Sequence, residues 1–416
     1  MEVEKAKQTD TDQTTNTNIS DSLLKPKDSK LQRFYYALIL ASNSVGISSL
    51  AFPSSMAKAG IALWILLLII AILINYVSSY VLVFCGKKMK VHTYSDLTSK
   101  MLGKGRLVVD IFYIFTNIGI ILSCMLTFND FMSGIFNHEY FENHNRVLSS
   151  KESLFWIIVP NIALLPMLLR KSLKDIKIFS IIAVFAVFLL SLFTMYAFMT
   201  KNNPLYLQQL EYFNLPAAPQ AFTLLLFGFM NQQNVLDVFT ELKKKKISTL
   251  SHILKMHSGV LTYVYFSIAL FGYLTFYNYT DIRELNIFAF DLEKNLLYIF
   301  INFCVGFSVF LSSIVTFKPT KDIILAYFDS ETEEQENKWN KIITFSLQAL
   351  CISLACLLIV FKVNFLDIVD IVSTFVAPFI CIYLPLCYYI ILTRRYGFVF
   401  IIVIVVFVNS YAIMKL

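Results

Sequence analysis

The chain has 416 residues, of which 57% are hydrophobic, 15% are aromatic and only 15% are charged, and its formal net charge is +7. Soluble domains carry about 45–50% apolar and about 25% charged residues, and their cores stop growing near roughly 250–300 residues. The composition therefore excludes a purely soluble protein. The basic residues lie in short groups between apolar runs, which indicates membrane topology rather than a nucleic-acid partner.

The predicted elements begin with a polar tail over residues 1–32, rich in Thr, Asp, Lys and Asn, which we expect to be disordered and cytoplasmic. Residues 33–414 follow as a transmembrane domain, because its apolar runs match the roughly 20 helical residues that cross about 30 Å of hydrocarbon. We predict an all-α integral membrane protein with eleven transmembrane helices, near 34–55, 61–85, 107–133, 153–169, 176–199, 220–239, 257–277, 295–317, 342–361, 365–392 and 396–414.

The distribution of positive charge predicts the orientation of these spans. When the tail is placed in the cytoplasm, most of the 35 Lys and Arg residues lie in cytoplasmic loops or at cytoplasmic span ends. An odd number of crossings then places the C-terminus on the non-cytoplasmic side. The sequon at Asn278 lies on that side as well, where glycosylation is possible.

Polar residues interrupt two of the spans. Span 1 contains an amide, small hydroxylated residues and a proline over residues 43–53, and span 6 contains four amides over residues 231–234. Both segments are poor continuous helices in lipid. They are the first spans of two blocks of five spans, repeat one at about 33–199 and repeat two at about 219–392. Because five is an odd number, the second block enters the membrane from the opposite side. We therefore predict a 5+5 inverted repeat with discontinuous helices 1 and 6. Residues 396–414 form an accessory helix.

Broken helices offer both charges of a zwitterion a partner. Unwinding near Val45 exposes backbone N–H groups at the start of the second half-helix, which suit a carboxylate. Carbonyls freed at both breaks suit an ammonium group or Na⁺. For each segment alone, the alternative to a binding site is close helix packing by small residues. Asn117 in span 3 is a further candidate for substrate contact, and its alternative role is an interhelical hydrogen bond. The candidate substrate-binding residues are Asn43, Ser44, Val45, Gly46, Ile47, Ser48, Ser49, Asn117, Phe227, Gly228, Phe229, Asn231 and Gln232.

Both interrupted segments resemble motifs of the amino acid/auxin permease family, which includes sodium-coupled neutral and proton-coupled amino acid transporters. The first-span motif G-x-G-x-L-x-L-P is similar to Gly46-Ile-Ser48-Ser-Leu50-Ala-Phe52-Pro53, with Gly60 seven residues beyond the proline. The sixth-span motif F-x-F-x-x-H-x-x-x-x-x-x-x-x-E-L is similar to the run from Phe227 to Leu242. Ser48, Phe52 and Gln232 depart from these motifs. Gln232 stands where the motif has histidine, so no proton-coupling role carries over to that position.

The resemblance implies a leucine-transporter-type fold and amino acid transport. Family members with a sodium site place a hydroxyl where Ser312 and Ser313 lie, so the candidate coupling-ion residues are Val45, Ser312 and Ser313. Carbonyl and hydroxyl oxygens are hard ligands that suit Na⁺.

We therefore expect a secondary active transporter that moves amino acids by alternating access, coupled to H⁺ or Na⁺. The partners are a small-molecule amino acid and the lipid bilayer, and we expect a monomer in the plasma membrane or an acidic internal membrane, vacuolar or lysosomal. We expect no resident cofactor, no metal site and no enzymatic activity, because the spans contain no cluster of acid–base residues at one depth. The alternative is an amino-acid sensor that has a transporter fold and little net flux.

Overall fold

The computed structural model describes residues 30–45, 47–136, 150–169, 173–200, 210–243, 245–276, 296–328, 332–363 and 365–413. Within these ranges the chain is helical apart from short connections and contains no strand. This confirms the predicted all-α class. Most of the predicted tail and the sequon at Asn278 lie outside the described residues.

Sixteen α-helices are used here, numbered in chain order. They are α1 (Lys30–Ser44), α2 (Ile47–Ala59), α3 (Ile61–Met89), α4 (Tyr94–Leu102), α5 (Arg106–Phe136), α6 (Ser150–Ala163), α7 (Leu165–Leu168), α8 (Leu173–Thr200), α9 (Ala218–Gly228), α10 (Gln232–Glu241), α11 (Ile247–Phe276), α12 (Leu296–Leu325), α13 (Glu333–Val360), α14 (Phe365–Ile371), α15 (Leu384–Thr393) and α16 (Val399–Ile413). Two π-helical turns, Val372–Val376 and Phe379–Tyr383, connect α14 to α15.

Seven helical stretches among the described residues are long and apolar enough to cross a membrane. The other four predicted spans are of two kinds. Those at 34–55 and 220–239 are each divided into two short helices, and those at 153–169 and 396–414 correspond to the shorter apolar helices Ser153–Ala163 and Val399–Ile413. The total of eleven crossings stays a prediction. Large apolar side chains such as Leu73, Phe115 and Phe407 are exposed on the outside of the bundle, as expected where lipid replaces water.

Both predicted interruptions are present in the structure. α1 ends at Ser44 and α2 begins at Ile47, while α9 ends at Gly228 and α10 begins at Gln232. Gly228 permits a close approach, because a Cβ atom at this position would lie 2.5 Å from Cζ of Phe52 on α2. The two breaks therefore lie against each other inside the bundle.

The surrounding helices hold the four half-helices in place. α11 packs against α1, α2 and α8, and α12 packs against α5 and α8. α9 packs against α2 and α3, and α15 also packs on α3. The site at the breaks is thus enclosed by α3, α5, α11 and α12.

Candidate functional site

A single tyrosine joins the two helix breaks. The hydroxyl of Tyr265 on α11 lies 2.7 Å from the carbonyl oxygen of Ser44 and 2.7 Å from that of Gly228, and it donates to both. Ser44 also donates from Oγ to the carbonyl oxygen of Met230, at 2.8 Å. A hydroxyl has one proton, so the two carbonyls share one donor and retain accepting capacity.

Aromatic side chains form the wall next to these carbonyls. The ring of Tyr265 lies edge-on to Phe52, with 4.6 Å between centroids, and to Phe229, with 5.3 Å. Phe52 in turn contacts Trp64 at 5.7 Å. These rings are almost fully buried, so water is largely excluded around the carbonyls and their electrostatic interactions are strengthened.

The second half of the first broken helix offers the opposite polarity. α2 begins at Ile47, so the backbone N–H groups of Ser48 and Ser49 lie in its first turn, at the positive end of the helix dipole. The Ser48 hydroxyl reaches back across the break to the carbonyl oxygen of Ser44, at 3.1 Å. Carbonyl acceptors and N–H donors are thus adjacent, which is the arrangement that a zwitterion requires.

The candidate coupling-ion residues are divided by the structure. Ser312 Oγ on α12 lies 3.5 Å from the carbonyl oxygen of Val45, so these two oxygens meet across the first break. Ser313 donates instead to the carbonyl oxygen of Phe310 within its own helix, at 2.6 Å. Gly46 and the side chains of Asn43 and Ile47 lie outside the described residues.

The amides of the second break are engaged with neighbouring helices. Gln232 donates from Nε2 to Asn75 Oδ1 at 3.0 Å, and its Oε1 accepts from the backbone N–H of Asn231 at 3.0 Å. Asn231 Oδ1 accepts from Ser79 Oγ at 2.5 Å. Both side chains therefore connect the second break to α3 in this structure. A ligand could contact their bonded atoms only after these hydrogen bonds break.

A buried histidine that sequence analysis missed completes this network. His257 on α11 is 1% exposed, and its Nδ1 lies 3.3 Å from Nδ2 of Asn231. The amide nitrogen Nδ2 can only donate, so Nδ1 is the acceptor and the neutral ring carries its proton on Nε2. Nε2 has no hydrogen-bond partner among the described residues. The sequence signal for this network was on α3, where Asn75, Ser78 and Ser79 interrupt an apolar span at a spacing that places them on one helix face.

Asn117 lies next to α10, and its described contact is an interhelical hydrogen bond, the alternative to substrate contact. Its Oδ1 accepts from Gln233 Nε2 at 2.8 Å, which links α5 to α10. Asn117 Nδ2 and Gln233 Oε1 are both buried and have no partner among the described residues. One donor and one acceptor of this pair are therefore available to a ligand.

Cavities lie at both ends of the broken helices. The carboxylate vestibule, of about 420 Å³, lies along α10 and includes Asp96, Asp110, Asp237, Glu241 and Asp322 in its wall. A smaller vestibule, of about 60 Å³, lies between the end of α2 and the start of α9. In the smaller one, Gln220 Nε2 donates to Asp370 Oδ2 at 2.9 Å, with Lys58 also in the wall. Of these two cavities, the one along α10 is therefore the larger.

Comparisons with known proteins identify the family and the fold of this chain. The family model described as transmembrane amino acid transporter protein matches residues 31–414. A curated relative, vacuolar amino acid transporter 7 of Saccharomyces cerevisiae, is 24% identical over 294 residues, which cover 68% of this chain. The chain spans only 56% of the length of that relative.

Two solved structures share the fold. One is the substrate-bound outward-open state of a Na⁺-coupled sialic acid symporter, with a TM-score of 0.61 and 11% identity, covering 91% of this chain and 88% of the other. The second is MhsT in complex with L-phenylalanine, with a TM-score of 0.61 and 13% identity, covering 93% of this chain and 99% of the other. Both have the leucine-transporter-type fold, so that part of the fold prediction is confirmed. The family match covers nearly all of the chain, and the protein therefore belongs to the transmembrane amino acid transporter family, as a multi-pass membrane protein.

Proposed function

We propose that this protein is a secondary active transporter that carries amino acids across a membrane by alternating access. The observation that supports this most directly is the junction of two helix breaks at the Tyr265 hydroxyl. Carbonyls from both breaks and the N–H end of α2 face one buried region, where an ammonium group and a carboxylate each find a partner.

Alternating access requires that the site communicate with one side at a time. The carboxylate vestibule of about 420 Å³ and the smaller vestibule of about 60 Å³ lie at opposite ends of the broken helices. Breaking the contact between Gln220 and Asp370 opens the smaller vestibule, and closure of α10 against α4 and α12 shuts the larger one. In this proposal the substrate enters through one vestibule and leaves through the other.

Two groups are available for the coupling ion, and they predict different driving ions. The carbonyl of Val45 with the hydroxyl of Ser312 offers hard oxygen ligands for Na⁺. His257 offers a proton site instead. Protonation of its Nδ1 turns the acceptor of the Asn231 amide into a donor, which breaks that contact and releases one support of the second break.

The experiment is amino acid uptake by the full chain in proteoliposomes, with Na⁺ and pH gradients imposed separately. Ser312→Ala tests the first ion and His257→Asn tests the second. Loss of Na⁺ stimulation in Ser312→Ala, with uptake by His257→Asn unaffected, assigns Na⁺ as the coupling ion. Loss of stimulation by the pH gradient in His257→Asn, with uptake by Ser312→Ala unaffected, assigns H⁺. If neither gradient drives uptake of any amino acid, the proposed function is wrong.

We further propose an acidic internal membrane, because the curated yeast relative is a vacuolar transporter. The charge distribution supports a cytoplasmic N-terminus, which places the carboxylate vestibule on the cytoplasmic side. In this proposed orientation the larger cavity faces the cytoplasm, as in an inward-facing state, and we propose that the transporter acts as a monomer. Protease protection of terminal epitope tags in intact vesicles tests the orientation.

A further inference from the structure

One face of α10 carries a line of hydrogen-bond acceptors. Gln233, Asp237, Thr240 and Glu241 all lie in the wall of the carboxylate vestibule. Their spacing of four, seven and eight residues from Gln233 places them on the same side of a helix. This acceptor face starts two residues after Asn231 in the second break and continues to the end of α10. It thus connects the candidate binding site with the wide end of the cavity.

The charge of the vestibule is opposite to that of the surface around it. Lysines 87, 88 and 90, which follow α3, are exposed, as are lysines 243, 245 and 246 after α10. Within the wall of the cavity, by contrast, five carboxylates stand against the single ammonium group of Lys318. The usual excess of basic residues at a cytoplasmic surface therefore does not extend into the cavity.

Two of these carboxylates are neutralised by described neighbours. Asp110 accepts from Arg106 Nε at 2.9 Å and from the hydroxyl of Tyr327 at 2.7 Å, and it is 3% exposed. Asp322 pairs with Lys318 at 2.5 Å. These two acids stabilise the fold of the cavity wall and offer little attraction to a ligand.

Asp237 and Asp96 differ from that pair. Their carboxylates make no hydrogen bond or salt bridge with any other described residue, and both line the cavity. Asp237 lies one turn from Gln233, on the acceptor face, and Asp96 lies in the first turn of α4 on the opposite wall. Carboxyl groups that no described residue hydrogen-bonds or ion-pairs are therefore present at two places in the cavity wall, with Lys318 as the cation of the same wall.

The inner end of the acceptor face carries a second, independent sign of a ligand. Gln233 is 4% exposed, and its Nε2 is held by Asn117, which leaves Oε1 without a partner among the described residues. A buried carbonyl oxygen without a donor costs roughly 1–3 kcal/mol. A ligand that brings N–H groups into the vestibule removes that cost.

We propose that the carboxylate vestibule selects amino acids with cationic side chains, of the lysine and arginine type, and disfavours acidic ones. This rests on the proposed transport function and specifies its substrate class. A cavity lined by one sign of charge and walled by low-dielectric protein concentrates ions of the opposite sign and repels those of the same sign. The side-chain cation contacts Asp237 and Gln233 Oε1, while the backbone zwitterion occupies the breaks at Tyr265.

The test compares fluxes of labelled L-arginine, L-glutamine and L-glutamate in proteoliposomes that contain the full chain. We expect arginine flux to exceed glutamate flux at least about tenfold, since each tenfold step requires only about 1.4 kcal/mol. Asp237→Asn lowers the ratio of arginine to glutamine flux by about three- to tenfold. Asp96→Asn lowers it less, because Asp96 is more exposed to solvent. The matched control is Glu334→Gln, which removes the same charge from an exposed position on α13 and leaves the ratio unchanged.

Several results would overturn the proposal without touching the proposed function. Equal arginine and glutamate fluxes would do so, as would an unchanged flux ratio in both aspartate variants. If Asp237→Asn removes gradient dependence for every substrate at a constant ratio, the acceptor face serves the coupling ion instead. If Asp237→Asn does not fold, the Asp96→Asn ratio decides. Failure of all three amino acids to cross under any gradient, by contrast, contradicts the proposed function itself.

Discussion

Removing one oxygen atom from Tyr265 tests whether its hydroxyl holds the two helix breaks together. In Tyr265→Phe the ring keeps its contacts with Phe52 and Phe229, so the variant isolates the hydroxyl from the packing. The hydroxyl now donates to the carbonyl oxygens of Ser44 and Gly228, each at 2.7 Å. Without it, both buried carbonyls lose this donor.

The size of the effect follows from the number of protons involved. One hydroxyl proton satisfies one acceptor at a time, so the loss corresponds to one buried unsatisfied group, about 1–3 kcal/mol. This energy corresponds to a change of roughly 5- to 150-fold in the equilibrium between the joined and separated breaks. We therefore expect a lower midpoint of thermal unfolding in detergent and a fall of about tenfold in amino acid flux.

The control is Tyr263→Phe, which removes the same atom two residues away, where the side chain is 49% exposed on the outside of α11. Both variants are assayed by fluorescence-monitored thermal unfolding and by proteoliposome uptake. Equal behaviour of Tyr265→Phe, Tyr263→Phe and the unaltered chain in both assays would refute the idea that this hydroxyl joins the breaks.

Three further changes test other parts of the structure. Gly60→Ala is expected to lower the free energy of unfolding by at least about 4 kcal/mol, because φ is 86° and a Cβ atom would lie 2.4 Å from the backbone carbonyl carbon of Tyr212. Gly103→Ala, with φ of 54° but open space around it, should cost only about 1–2 kcal/mol; similar unfolding midpoints for the two variants would contradict the steric argument. Gln220→Ala removes the donor to Asp370 and should open the smaller vestibule. We expect the free energy difference between its closed and open forms to shift toward the open form by about 1.5–3 kcal/mol. Faster hydrogen exchange in α2 would report this opening, and unchanged exchange would argue against the contact as a gate.

The sequence was sufficient to predict the two helix breaks, since their signal is local. Residues 43–53 and 231–234 interrupt apolar runs with small residues and amides, and helix continuity in lipid depends on such short segments. The structure places breaks at both segments. The family could be recognised for the same reason, because its motifs are contiguous in the chain.

The partners of individual side chains could not be predicted in this way. Gln232 was a candidate for substrate contact, yet its amide bonds to Asn75 on α3. Tyr265 and His257 resemble ordinary residues of an apolar span, and neither drew attention in the sequence. Their importance depends on the rotation of α11 about its axis, which only packing against neighbouring helices fixes.

By itself, the sequence determined that the chain is a helical membrane protein, where its helices are interrupted, and which family it resembles. Those properties depend on hydropathy and motifs within short segments. The tertiary structure decided that the two breaks share one hydroxyl, that Ser312 and not Ser313 faces Val45, and that five acidic residues line one cavity. These features join residues far apart in the chain, and they exist only once the helices have packed at particular positions and rotations.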